Sequence, residues 1–268
     1  KDAIKKVYIQ KFLCINKQTV DHYKLFDVKV DQFDIIGSTQ LALAEEYFKN
    51  DNLKKNEDNP YVCVLSGNTH LNSNNVTSAI KKKLLERHVT LWTNIDKFSK
   101  KHNIYFKLAS KRPIDFDPSD KYGKEDYDEE KKLFNQIVKD NKYFIKTDRY
   151  KEKFSNYKLA LNSSLVIGYG STLLLESLAK KKKILDICIE KYNEHPDISS
   201  LMPEDNISSL FKPSYEELES RILKLLKMPQ SEYDREMHYK RNYMIAYDPK
   251  VSALEKLKKH VNLILEKN

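Results

Sequence analysis

Short apolar runs alternate with longer amphipathic segments along most of this chain. Continuous apolar runs are typical of strands that are covered on both faces of a parallel sheet, whereas apolar positions repeating about every three to four residues are typical of helices. These patterns predict strands at residues 7–15, 33–36, 61–65, 104–109, 143–146, 164–167 and 184–189. They predict helices at residues 17–26, 40–48, 76–102, 129–141, 150–161, 171–179, 215–226 and 252–267.

The order of these elements predicts the fold class. Strands that alternate with helices favour a parallel sheet with helices on its faces. We therefore expect an α/β protein with a Rossmann-like parallel sheet flanked by helices. Between the elements, we expect a polar linker at residues 49–60, a basic turn at 110–113 and an exposed acidic segment at 115–130.

Composition narrows the range of partners. Apolar residues make up 40% of the 268 positions and charged residues 32%, which is ordinary for a globular protein. No apolar run approaches the roughly 18–20 residues that a membrane span needs. The net charge of +9 is spread over many predicted helices, and no nucleic-acid-binding motif accompanies it. We expect phosphate-bearing ligands or membrane headgroups as partners, and no nucleic acid.

The three cysteines, Cys14, Cys63 and Cys188, each lie within an apolar strand-like run. An odd number without a CxxC pair argues against a disulfide framework and against a zinc site. We expect buried, reduced thiols and a cytoplasmic protein.

The segment with the clearest chemistry is a strand–turn–helix at residues 161–179. Gly170 allows a tight turn in which backbone N–H groups approach a ligand, and the following helix N-terminus suits an anion. Ser171 and Thr172 add hydroxyl groups, and Glu176, about one turn further on, could accept hydrogen bonds from ribose. The alternative is that Ser171 is only a helix N-cap and Glu176 only a solvated residue.

This segment resembles the donor-site motif of GT-B glycosyltransferases that build bacterial surface carbohydrates. Residues 33–40 (FDIIGSTQ) resemble the segment that opens the C-terminal half of such enzymes, and residues 106–113 (FKLASKRP) are similar to their strand ending in Lys-Pro-His-Pro. Residues 216–226 and 243–248 resemble their closing helix and returning tail. The resemblance covers roughly residues 30–265.

The resemblance implies a nucleotide-sugar site and no separate cofactor. Arg112 replaces the family's His, so a phosphate contact would survive but a proton transfer by that residue would not. No catalytic base can be named. Asp115 and Asp117 (DFD) are the nearest match to the metal-binding Asp-x-Asp motif of other transferases, and we expect no metal. The alternatives are a surface role for Lys107 and a plain strand-to-helix turn for residues 66–70, which follow the predicted strand at 61–65. The predicted binding residues are Gly170, Ser171, Thr172, Glu176, Arg112, Lys107, Ser66 and Asn68.

The resemblance also predicts the organisation of the chain. Residues 1–36 would be a remnant of an N-terminal acceptor domain with its linker, and residues 37–268 the donor domain with a returning C-terminal helix. The chain would then be mainly the donor half of a longer transferase.

The predicted activity is metal-independent transfer of a sugar from a nucleotide-sugar donor to a bacterial surface polysaccharide. A CMP-linked donor, a carbohydrate or lipid-linked acceptor and peripheral association with the inner face of the membrane complete this expectation. Two alternatives are a polyol-phosphate transferase of the CDP-glycerol type, whose usual Asp-Tyr-Ser-Ser turn differs from residues 168–171, and a non-catalytic glycan- or nucleotide-binding module.

Overall fold

The computed structural model describes residues 7–24, 28–49, 60–66, 78–113, 121–149, 154–188 and 206–266. Their contacts divide the chain into unit 1, Lys1–Leu53 with Asp234–Asn268, and unit 2, Lys54–Tyr233. This division does not follow the expected boundary after residue 36, because both the next segment and the end of the chain group with the first residues. The assignment of the early residues to an acceptor domain stays a prediction.

Unit 1 contains two parallel strands and several helices. Strand β2 begins earlier than predicted, because Val28 already pairs with Val7. Several of its positions are exposed and polar, so its first half does not form an apolar run in the sequence. The elements of this unit are β1 (Val7–Cys14), α1 (Lys17–Tyr23), β2 (Val28–Ile35), α2 (Thr39–Lys49) and α9 (Ala253–Leu265).

Within unit 1, residues 244–246 are hydrogen-bonded to residues 15 and 16, which lie between β1 and α1. Asn16 caps α1 by accepting a hydrogen bond from the Thr19 N–H, and its side-chain amide donates to the Met244 carbonyl. The Ala246 N–H donates to the Ile15 carbonyl at 3.2 Å. The first two bonds satisfy the side chain of Asn16, which is buried.

Unit 2 is built on a parallel sheet of six strands in the order β5-β4-β3-β6-β7-β8. The strands are β3 (Tyr61–Leu65), β4 (Tyr105–Pro113), β5 (Phe144–Arg149), β6 (Leu165–Gly168), β7 (Ile184–Cys188) and β8 (Ser209–Phe211). From β3 the chain adds strands outward on one side and then returns to add β6, β7 and β8 on the other. This is the doubly wound order, with its switch point between β3 and β6. The predicted Rossmann-like α/β fold is confirmed.

Helices cover both faces of the sheet. Phe98 of α3 (Ser78–His102) packs on Phe106, whereas Tyr61 donates a hydrogen bond to a carbonyl of α5 (Ser155–Asn162). Phe106 pairs in register with the neighbour of Tyr61, so the two contacts lie on opposite faces. Strands β3, β6 and β7 are consequently buried throughout. The other helices here are α4 (Lys121–Ile137), α6 (Thr172–Ala179) and α7 (Tyr215–Lys227), and α8 (Gln230–Met244) leads into unit 1.

Two local predictions in this unit are wrong. The basic segment 110–113 continues β4, because Pro113 pairs with Arg149 after a register shift that follows Ala109. The acidic segment is not wholly exposed: α4 begins at Lys121, and this helix buries Tyr127 and Glu130. The bounds of both elements thus differ from those that the local signals indicate.

Three further findings concern the cysteines, the last strand and the hydropathy of the helices. Cys14, Cys63 and Cys188 are buried and free, as predicted, and burial raises the pKa of the Cys63 thiol. Strand β8, with only three residues, was not predicted. Among the described residues, no helix has the length and hydropathy needed to cross a lipid bilayer.

Tyr233 of α8 joins the edge of the sheet to the helix layer. Its hydroxyl is buried, accepts the Ile184 N–H at 3.1 Å and shares a hydrogen bond with Ser208 Oγ at 2.7 Å.

We expect Tyr233→Phe to lower the free energy of unfolding by about 1–3 kcal/mol, because it leaves buried polar groups unpaired. The matched variant Tyr239→Phe, at a site 79% exposed on the same helix, should change it by less than about 0.5 kcal/mol. Urea denaturation followed by circular dichroism measures both, and equal losses would contradict the assignment.

Candidate functional site

The carboxyl ends of β3 and β6 meet at the switch point of the sheet. Val64 pairs with Ile167, so the residues that follow these strands, Ser66 and Tyr169, leave the sheet at the same edge. In open α/β sheets, ligands bind in the crevice at this place, outside the carboxyl ends of the strands. The site is therefore set by topology before any particular side chain is considered.

The turn from β6 into α6 is open and could hold an anion. Gly170 has φ +54°, and no atom lies within 4 Å of where a Cβ would stand. Ser171 is the N-cap of α6 with φ −98° and ψ 129°, yet its side chain makes no capping hydrogen bond. Thr172 begins the helix and is exposed. The Ser171 hydroxyl and the positive end of the helix dipole thus accompany an open turn.

Asp186 of β7 fastens this turn to the sheet. It is fully buried, and its Oδ1 accepts the Gly170 N–H at 3.4 Å. The Gly170 amide is thereby directed to the sheet, so the donors for a ligand are those that follow it in the chain. Asp186 was not among the predicted site residues, although it is the charged position within the apolar run of β7.

Glu176 lies inside the structure and not on a solvated face. It is 3% exposed, and its Oε2 accepts a hydrogen bond from Tyr157 Oη of α5 at 2.7 Å. The reading of Glu176 as a solvated helix residue is wrong. Its burial places it between α6 and α5, one turn behind the open end of α6. Tyr157 gave no signal in the sequence, because its partner belongs to another helix.

Ser66 is part of a buried polar network on the other side of the switch point. Its N–H donates to the Ala109 carbonyl at 3.1 Å, and its Oγ donates to Glu130 Oε2. Lys146 Nζ lies 3.7 Å from Glu130 Oε1 and 4.2 Å from the Tyr127 ring centroid. Glu130 was missed because it belongs to the segment that was expected to be exposed.

Lys107 is not brought to the open turn. Its Nζ lies 4.2 Å from the centroid of the Tyr61 ring, at the start of β3 and so toward the opposite end of the sheet. For Arg112 the structure describes the backbone, which belongs to β4, and the side chain lies outside the described part. Asn68 also lies outside the described residues. Within the described ranges, no group of three or more His, Cys, Asp or Glu residues is arranged to hold a metal ion.

The structure therefore gathers only part of the predicted set at the switch point. Ser66 and the turn Gly170–Thr172 lie at neighbouring strand ends, and Glu176 lies behind the turn. This arrangement offers hydrogen-bond donors on the α6 side and a buried carboxylate network on the β3 side.

Neither a protein-family model nor a curated protein matches the chain. Among solved structures, it is similar to UDP-GlcNAc 2-epimerase from Neisseria meningitidis bound to UDP-GlcNAc, with 13% identity, a TM-score of 0.49, and coverage of 94% of this chain and 60% of that chain. It is also similar to two UDP-forming α,α-trehalose-phosphate synthases. The one from Burkholderia xenovorans has 10% identity and a TM-score of 0.44, covering 88% of this chain and 58% of that one. The one from Burkholderia vietnamiensis has 12% identity and a TM-score of 0.43, covering 80% of this chain and 48% of that one.

The chain thus spans between 48% and 60% of the length of these three proteins.

The openness of the Gly170 turn is testable by comparing two glycines. We expect Gly170→Ala to cost about 1–2 kcal/mol of stability, which is the strain of a left-handed backbone with a side chain. Gly37→Ala should cost clearly more, because at φ +89° its Cβ would also come within 2.5 Å of the Ala246 carbonyl oxygen. Chemical denaturation of both variants gives the comparison. A loss for Gly170→Ala as large as that for Gly37→Ala would mean that the turn is not open.

Proposed function

We propose that unit 2 is the nucleotide-sugar-binding part of a glycosyltransferase of the GT-B type. The observation that supports this most directly is the open Gly170 turn, which leads into the N-terminus of α6 at the switch point between β3 and β6. Backbone N–H groups and the helix dipole at such a position suit the phosphate groups of an activated sugar. The Ser171 hydroxyl, which the helix does not use as a cap, is a further donor for them.

The proposed reaction is a displacement at the anomeric carbon of the donor sugar. An oxygen of the acceptor forms a bond to this carbon, the bond from the carbon to the phosphate oxygen breaks, and the acceptor's proton passes to a base. Negative charge develops on the departing nucleotide. Donors that are already fixed at the helix N-terminus stabilise that charge without reorganisation. In this proposal Thr172 and the Arg112 guanidinium assist, and no metal is required.

The finer assignments follow from the resemblance in the sequence. A CMP-linked donor, a carbohydrate or lipid-linked acceptor and a role in bacterial surface polysaccharide remain parts of the proposal. A site for CDP-glycerol is the competing assignment, and it would use the same helix N-terminus. Titration of the chain with CMP, UDP, GDP and CDP-glycerol by calorimetry separates these cases.

Two serines at helix N-caps give a sharper test. We expect Ser171→Ala to weaken binding of the preferred nucleotide roughly tenfold or more, because a hydrogen bond to a charged group contributes about 1.5–3 kcal/mol. Its thermal stability should change little, since Ser171 makes no capping bond. Ser214→Ala, at the N-cap of α7, should do the opposite: it loses a capping box and about 1 kcal/mol of stability, and it keeps nucleotide affinity.

Calorimetry and thermal denaturation of the same samples measure both effects. If millimolar CMP, UDP, GDP and CDP-glycerol all fail to bind the unaltered chain, the proposed function is wrong. If binding occurs but neither serine affects it, the ligand is held elsewhere than at α6.

A further inference from the structure

Glu130 controls which hydrogen bonds Ser66 can make. Ser66 follows β3, and Glu130 reaches it from α4, across the face of the sheet that α4 covers. Glu130 is 2% exposed and Ser66 is 8% exposed, so water competes little for their hydrogen bond. The side chain of Lys146, 7% exposed, lies 3.7 Å from the other carboxylate oxygen and balances its charge.

Both donors of Ser66 are used inside the protein. Its N–H donates to the Ala109 carbonyl, and its single hydroxyl proton is donated to the Glu130 carboxylate. An ionised carboxylate can only accept, so Glu130 cannot return a proton to this bond. The capacity that remains on Ser66 Oγ is that of an acceptor.

The two sides of the switch point therefore have opposite hydrogen-bonding character. The α6 side presents donors and the positive end of a dipole, which suit a phosphate. The Ser66 side presents an acceptor that is backed by a negative charge, which suits O–H or N–H groups and disfavours a phosphate. A nucleotide-sugar has both kinds of group, namely an anionic phosphate and the hydroxyl or amide groups of its sugar.

We propose that Ser66, held by Glu130, accepts a hydrogen bond from a hydroxyl or N–H group of the ligand's sugar and does not contact its phosphates. Glu130 is then a positioning residue, which acts through Ser66 without touching the ligand. This inference rests on the proposed function and refines it, because it assigns the sugar to the β3 side of the crevice and the phosphate to the α6 side.

The test compares a nucleotide with its sugar conjugate on the same variants. The probes are CMP with CMP-sialic acid, UDP with UDP-GlcNAc and GDP with GDP-mannose, and the pair used is the one whose nucleotide the unaltered chain binds. Ser66→Ala should weaken binding of the conjugate roughly three- to tenfold, as one neutral hydrogen bond implies, and leave the bare nucleotide unchanged. Ser110→Ala is the matched control, on the neighbouring strand β4: its hydroxyl is buried without a hydrogen-bond partner among the described residues, and neither affinity should fall.

Glu130→Gln provides a second variant that keeps Ser66 in place. Glutamine has the shape of Glu130 without its charge. Its Oε1 accepts the serine proton more weakly than a carboxylate does, and its Nε2 would instead donate to Ser66 Oγ, so in either orientation Ser66 Oγ is a poorer acceptor for the ligand. The preference for the conjugate over the nucleotide should therefore shrink, as it does in Ser66→Ala, even if the alanine variant folds poorly. Equal weakening of both probes by Ser66→Ala would place Ser66 against the nucleotide and overturn the inference. Unchanged affinities in both variants overturn it too, while the response of Ser171→Ala shows separately whether the proposed function holds.

Discussion

Strands β3 and β6 pair side by side although β4 and β5 lie between them in sequence. This pairing is possible because the chain crosses from one face of the sheet to the other after β5, so that α5 and α6 occupy the face opposite to α3 and α4. The helices that come after β3 and β6, α3 and α6, therefore lie on opposite faces, and in sheets of this order ligands bind in the crevice at the switch point. The candidate site depends on this pairing, because the Gly170 turn and Ser66 belong to segments that have no other reason to meet.

Three buried carboxylates stabilise the edge of the sheet around the crevice. Asp186, Glu130 and Glu176 are each at most 3% exposed, and each accepts a hydrogen bond: from the Gly170 amide, from Ser66 and from Tyr157. A buried charge is costly unless it is paired or hydrogen-bonded, so these contacts hold the surrounding segments in one arrangement. Donors and acceptors that are fixed in this way need little reorganisation when a ligand binds.

Local signals predicted those elements whose surroundings are simple. Residues 61–65 were predicted with the bounds that β3 has, because a strand buried on both faces is an unbroken apolar run. The turn at residues 170–172 was also recognisable, since glycine and a helix start are adjacent in sequence. Residues 110–113 looked like a turn, because their pairing with β5 is a tertiary contact. The link between Ser66 and Glu130 could not be predicted either, because topology alone brings α4 over the end of β3.

The charges at the crevice bear on the kind of anion that could bind. Asp186 lies directly behind the open turn, and because its Oδ1 accepts the Gly170 N–H, this amide is not available to a bound anion. On the β3 side, Lys146 Nζ lies 3.7 Å from Glu130 Oε1. Among the described residues, the donors at the crevice that a small free anion could use are those at the N-terminus of α6. Under the proposal, a ligand whose phosphate is joined to groups rich in hydroxyls gains the acceptor at Ser66 as well, so we expect a conjugated phosphate to bind more tightly than inorganic phosphate.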